Sequence, residues 1–263
     1  PIIKGVGSNS ECYSHKSWIV DFDISKYQGT ILNYPEKAIS KLYRTNKNIT
    51  FLELAPLSTL AILKDILVSF HAKVIAMAGS VYKGYFKSNT PQPECNIITD
   101  IKASKAVFES KLNLTIIPLD ACGNIFIDGQ HYQRIREGKT AACKIIMENY
   151  TCWASLYEGD ANQFDINKSS SILYDLCAAW FVLFPQNFAL AKLPLFIDGK
   201  GITTVGGNNS YIVATNIQKE NNAVLRAFFP YFWKAIGIFC IRFNPHCIRN
   251  NYHSQNASKT ARH

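Results

Sequence analysis

Glu94 and Asn96, two residues apart at the end of a polar loop, could together hold a hydroxylated ligand. The loop follows Val74 to Met77, an apolar run that reads as a buried strand and breaks at Gly79. A helical segment begins near Asp100. Open α/β sheets place ligand groups on such loops, at the carboxyl ends of their strands. Met77 then supplies an apolar wall, and Glu94 and Asn96 supply hydrogen bonds. Asp120 closes a second apolar run, Leu114 to Leu119, and could serve a site or cap nearby amides; both readings stay open. Tyr174 and Asp175 stand near the start of a very apolar helix, Ser171 to Phe184. An acid in the first turn suits the helix dipole. Within so apolar a helix it needs a partner, and an amide, a cation or calcium would serve.

Other groups carry less. Asp21 and Asp23 have the spacing of a metal pair but read as exposed loop carboxylates. The eight cysteines (Cys12, Cys95, Cys122, Cys143, Cys152, Cys177, Cys240, Cys247) contain no C-x-x-C pair, which argues against zinc and redox sites. Several lie in apolar runs, as buried free thiols do. His246 beside Cys247 falls in a stretch that reads as a frayed tail.

Around these groups strand and helix patterns alternate. Pro1 to Gly7 reads as a short strand and Ser8 to Gly29 as loop. Tyr34 to Thr45 is an amphipathic helix and Phe51 to Leu54 a strand. Ser58 and Thr59 offer an N-cap for a helix over Leu60 to Phe70. Asp100 to Ser110 is helical, as is most of Gly129 to Tyr150, continuing to Tyr157. Gly159 to Ser171 reads as loop. Leu193 to Ile197 and Tyr211 to Thr215 pair around Gly199 to Asn209, where the Gly-Gly-Asn-Asn run supplies turn chemistry. Asn222 to Trp233 is a last helix. The expected domain spans residues 1–236, with residues 237–263 an irregular tail.

At 263 residues and 48% hydrophobic, the chain can bury one large core. The net charge of +9 invites nucleic acid, yet lysines and arginines are scattered in runs no longer than two. Clustering is the informative feature, so the sequence disfavours nucleic acid. No apolar run is long and unbroken enough for a membrane span. N-x-S/T sequons occur at Asn48, Asn113, Asn149, Asn167, Asn208 and Asn256. Both cytoplasmic and secreted locations stay open, as does a homo-oligomer.

Four blocks, in order and at matching spacing, resemble the inosine/uridine-preferring nucleoside hydrolase family. They are APLSTLA (Ala55 to Ala61), MAGSVYKGY through PQPECNIITDIKASKAVF, PLDACG (Pro118 to Gly123) and SSSILYDLCAA (Ser169 to Ala179). The likeness covers roughly residues 1 to 235. It implies an α/β fold with an open, mostly parallel sheet flanked by helices, in agreement with the alternating pattern. It implies hydrolysis of the N-glycosidic bond of ribonucleosides to ribose and base, with Met77, Glu94 and Asn96 on the ribose. It assigns a calcium ion to Asp175 and the Ser58 carbonyl, and a leaving-group contact to Tyr174. Better-known members carry His at that position, and a phenol with its usual pKa near 10 is a poorer general acid. The family's defining Asp-x-Asp-x-x-x-Asp-Asp cluster is not matched by Asp21 and Asp23. The resemblance therefore implies a truncated amino terminus without the general base, and a chain inactive by itself. The absent strand is expected to sit centrally, leaving the neighbours of Leu54, Ile75 and Ile116 open. A relative that binds ribosides or a protein partner without catalysis is the alternative.

Overall fold

The computed structural model describes residues 1–6, 16–46, 48–156 and 165–218. The expected helix over Asn222 to Trp233 and the tail with His246 and Cys247 lie outside them. The described residues divide into two compact units. The first holds residues 1–6, 21–46, 48–126 and 172–218, and the second holds 16–20, 127–156 and 165–171.

In the first unit β1 (Ile2–Ile3) pairs in parallel with β2 (Ile31–Leu32). Then follow α2 (Pro35–Thr45), β3 (Thr50–Glu53), α3 (Ser58–Ser69), β4 (Lys73–Met77), α4 (Cys95–Ile98), α5 (Ile101–Phe108), β5 (Asn113–Ile117), α6 (Leu119–Cys122), α9 (Tyr174–Leu183), β6 (Phe188–Ile197) and β7 (Thr203–Ile217). The second unit contributes α1 (Lys16–Ile19), α7 (Gly129–Arg136) and α8 (Ala141–Leu156). The expected single helical stretch over Gly129 to Tyr150 is thus two helices, parted around Gly138.

The main sheet runs β3-β4-β5-β7-β6, with β6 alone antiparallel. It is the open, mostly parallel α/β sheet that the strand–helix alternation predicts. β4 and β5 are its centre and bury every residue after the first. Strands buried on both faces read as continuous apolar runs, which is why VIAM and LTII stand out. Ile75 pairs with Leu52 and Thr115, and Ile116 pairs with Ala76 and Val213. The expectation of open neighbours at Ile75 and Ile116 is therefore corrected: both strands are paired on both sides. Among the described residues the two open edges are those of β3, which Leu54 follows, and of β6. Against the sheet pack Leu57, Leu60 and Leu67 of the α3 region and Val107 of α5, all buried. α9 is apolar nearly all round and buries Cys177, Ala178, Trp180 and Phe181.

Two local readings change. α3 starts at Ser58 and has no side-chain cap. Ser58 Oγ instead donates to Asp100 Oδ2 at 2.7 Å, and Thr59 Oγ1 accepts the Val6 N–H at 3.0 Å. Both hydroxyls serve tertiary contacts. The β6–β7 turn is short, with Asp198 Oδ1 accepting the N–H groups of Lys200 and Ile202. Gly206 to Asn209 lies inside β7, where the register slips so that Pro194 faces Ser210 and Leu195 faces Val205. Close approach demands glycine here, since a Cβ on Gly207 would overlap the Leu195 carbonyl. Asn209 Nδ2 donates to the Phe108 and Ser110 carbonyls, both at 3.2 Å. Beyond this bulge the hairpin reaches back along α5, with Gly201 against Ile98 and Ile101.

Candidate functional site

β4 ends at Met77, and the chain turns sharply at Gly79, where φ is +85°. The loop from Gly79 to Glu94 returns to the strand end through its last residue. Glu94 is 2% exposed. Its Oε2 accepts the N–H groups of Gly79 (3.1 Å) and Ile97 (3.3 Å), and its Oε1 accepts that of Asn96 (2.9 Å). One carboxylate thus ties strand end, loop end and the start of α4 together. Burial pushes it up strongly, the three amides pull it down, and the charge of Asp175 raises it, leaving it at about 7. Asn96 donates Nδ2 to the Met77 carbonyl at 3.0 Å and lies 3.6 Å from its sulfur. Since a carbonyl only accepts, this bond fixes the amide and leaves Oδ1 as the acceptor Asn96 presents.

The loop carries its own scaffold. Ser80 is fully buried; its Oγ donates to the Lys83 carbonyl at 2.6 Å and accepts the Gln92 N–H at 2.9 Å. Gln92 Oε1 accepts the Tyr85 N–H at 2.8 Å. Asp120, in the first turn of α6, accepts from Val81 (2.9 Å) and Tyr82 (2.8 Å). Of its two open readings, the capping of amides is realised. Replacing Asp120 with alanine strands the buried Val81 N–H. The expected loss is about 1–3 kcal/mol in a urea unfolding experiment, with Asp120→Asn losing less because one acceptor remains.

From the other side come Tyr174 and Asp175, at the start of α9. The Tyr174 and Tyr85 rings meet edge to face, with centroids 5.8 Å apart and planes at 89°. The Tyr85 hydroxyl accepts the Cys95 N–H at 2.8 Å. Loss of water and the charge of Glu94 raise that phenol above its usual range. Asp175 keeps part of its surface in water, yet the neighbours around its carboxylate displace enough water to raise it to about 6. Its charge reaches Glu94 and also Cys122, a fully buried thiol raised well above its ordinary value by burial and by Cys177.

Met77, Glu94, Asn96, Tyr174 and Asp175 are therefore gathered around the carboxyl end of β4. Ser58 is bonded to Asp100 and begins α3, so its carbonyl belongs to the helix ladder. Asp23 accepts from the Ser25 N–H and Oγ as a local exposed turn, the reading its sequence suggests. Among the described residues no group of three or more His, Cys, Asp or Glu side chains could hold a metal ion, nor does any described helix qualify as a membrane span. Sequence reasoning missed Tyr85, Ser80 and Gln92. The Pro91-Gln92-Pro93 stretch marks a rigid loop, but nothing local announces whom Gln92 or Tyr85 meets.

The fold is that of an open α/β protein, and the gathered polar groups stand at a strand end, where such sheets hold their ligands. A family profile described as "Inosine-uridine preferring nucleoside hydrolase" matches residues 26–228. The chain belongs to that family. It is 24% identical over 163 residues to the inosine-uridine preferring nucleoside hydrolase of Crithidia fasciculata, covering 61% of this chain and 49% of that protein. It is 28% identical over 183 residues to the pyrimidine-specific ribonucleoside hydrolase RihA of Shewanella sp. (strain ANA-3), covering 68% and 55%. The chain thus spans about half the length of these two relatives. A purine-preferring ribonucleoside hydrolase from Gardnerella vaginalis shares the fold, with a TM-score of 0.63 at 17% identity, covering 80% of this chain and 69% of that one.

Proposed function

We propose that this chain binds a ribonucleoside at the carboxyl end of β4 and belongs to a hydrolase that cleaves the N-glycosidic bond to ribose and free base. One observation carries the reading: Tyr174 packs edge to face on Tyr85, whose hydroxyl accepts the Cys95 N–H, so the start of α9 stands against the loop that carries Glu94 and Asn96. Asn96 Oδ1 accepts a sugar hydroxyl, and Met77 walls the ribose. Cleavage builds oxocarbenium character on the sugar, and the negative potential of Asp175 and Glu94 favours that charge. Tyr174 donates a hydrogen bond toward the departing base.

Calcium takes six to eight oxygens. The described residues offer Asp175 and a Glu94 already committed to three amides, and they do not fit that ion by themselves. No step is routed through it, and no described residue is assigned to activate water. A riboside-binding protein without catalysis is the second reading, favoured by the same shortage of ligands.

Titration calorimetry of the 263-residue chain with inosine and uridine tests the proposal. Saturable binding, weakened about tenfold in Asn96→Ala, is expected for one lost hydrogen bond. Absence of binding would overturn the site. Hydrolysis by the same chain tests whether its own carboxylates complete an ion site. We expect none without or with calcium; calcium-dependent turnover would mean that local carboxylates complete an ion site and would favour the hydrolase.

A further inference from the structure

A vicinal diol needs more than the three groups already gathered for the sugar. Each hydroxyl has one proton to give and lone pairs that take a donor. Met77 offers no donor. Glu94, when ionised, only accepts, and it already takes three amide protons. The two protons of the Asn96 amino group are taken by the Met77 carbonyl and, at 3.6 Å, its sulfur. With Glu94 ionised, the set therefore pairs the protons of a bound diol but gives nothing to its oxygens.

We propose that Tyr85 is the missing donor, a ligand-contacting residue whose hydroxyl gives its proton to a ribose hydroxyl. The inference rests on the nucleoside reading above. Tyr85 is half-buried on the loop that Glu94 closes. Its oxygen accepts the N–H of Cys95, the residue between Glu94 and Asn96, which puts the hydroxyl at the sugar end of the site. Among the described residues no hydrogen bond spends its proton. Accepting an amide proton polarises a hydroxyl and strengthens it as a donor. Its direction is fixed from both sides. The Gln92 side chain holds the Tyr85 amide at 2.8 Å, and the Tyr174 ring lies against the phenol ring. Tyr85 thereby joins the sugar groups of the loop to the residue that would face the base.

The native chain and Tyr85→Phe should be titrated with inosine, 2′-deoxyinosine and 3′-deoxyinosine. Phenylalanine keeps the ring and its contact with Tyr174, and water can take the exposed Cys95 N–H, so thermal unfolding should change little. Tyr85→Phe should bind inosine about tenfold more weakly. It should bind the deoxy analogue that lacks the contacted hydroxyl as well as the native chain does. Equal losses on all three ligands would assign Tyr85 to packing and sink the inference. Native binding that Tyr85→Phe leaves unchanged would overturn the Tyr85 assignment alone. No binding by the native chain would overturn the nucleoside reading, and this inference with it.

Discussion

Raising the pH from 4.5 to 8 is expected to cost the native state about 3 kcal/mol through Glu94 alone. Burial carries this carboxyl from the ordinary 4.5 to about 7 in the folded protein. The native state therefore holds the proton more tightly than the unfolded chain. Its contribution is complete below about pH 4.5 and is lost as pH rises through 7. A shift of that size corresponds to about 3 kcal/mol. Glu53 acts in the same direction, raised to about 7 by burial against the pull of the Ala55 amide, though it keeps more contact with water. Asp175 adds in the same sense, weakened by its exposure. Urea unfolding midpoints across this window measure the slope. Glu94→Gln removes its share of the titration and should make the slope shallower by about 3 kcal/mol across the window, leaving what Glu53 and Asp175 contribute. A variant as steep as the native protein would show that Glu94 titrates normally.

The same residue shows how far the sequence could be read. Glu94 and Asn96 are legible because the strand before them is. Val74 to Met77 is apolar without alternation, and only a strand covered on both faces needs that. A polar loop leaving such a strand is the natural place for a ligand. Interactions that close over long sequence distances were not legible. Ser58 has the composition of an N-cap, yet its hydroxyl finds Asp100, 42 residues on. Gly206 to Asn209 has the composition of a turn. What keeps it inside β7 is the reach of Asn209 to Phe108 and Ser110, and the close approach of Gly207 to Leu195. Tyr85 was invisible for the same reason. A tyrosine in a loop is unremarked until Tyr174, 89 residues later, meets its ring.

Gly79→Ala is expected to destabilise the protein by about 2–4 kcal/mol, and Thr203→Ala should return part of that loss. Two costs combine at this turn. Gly79 holds φ at +85°, where an L side chain is strained by about 1–3 kcal/mol. A Cβ there would also stand 2.7 Å from Thr203 Oγ1, and overpacking a filled site costs a similar amount. Thr203 is 1% exposed and has little room to withdraw. The turn also gives its N–H to Glu94 and takes the Leu119 N–H on its carbonyl at 2.9 Å, so a shift would loosen the anchor of the Gly79–Glu94 loop. Thr203→Ala removes the overlap and not the backbone strain, so rescue should be partial. A double-mutant cycle on urea unfolding reads the coupling directly, and neighbours in contact couple by about 0.5–3 kcal/mol. Additive losses would mean that the tip of the β6–β7 hairpin does not press on the turn. Coupling of the expected size would make that hairpin, through Thr203, a support of the carboxylate that closes the loop.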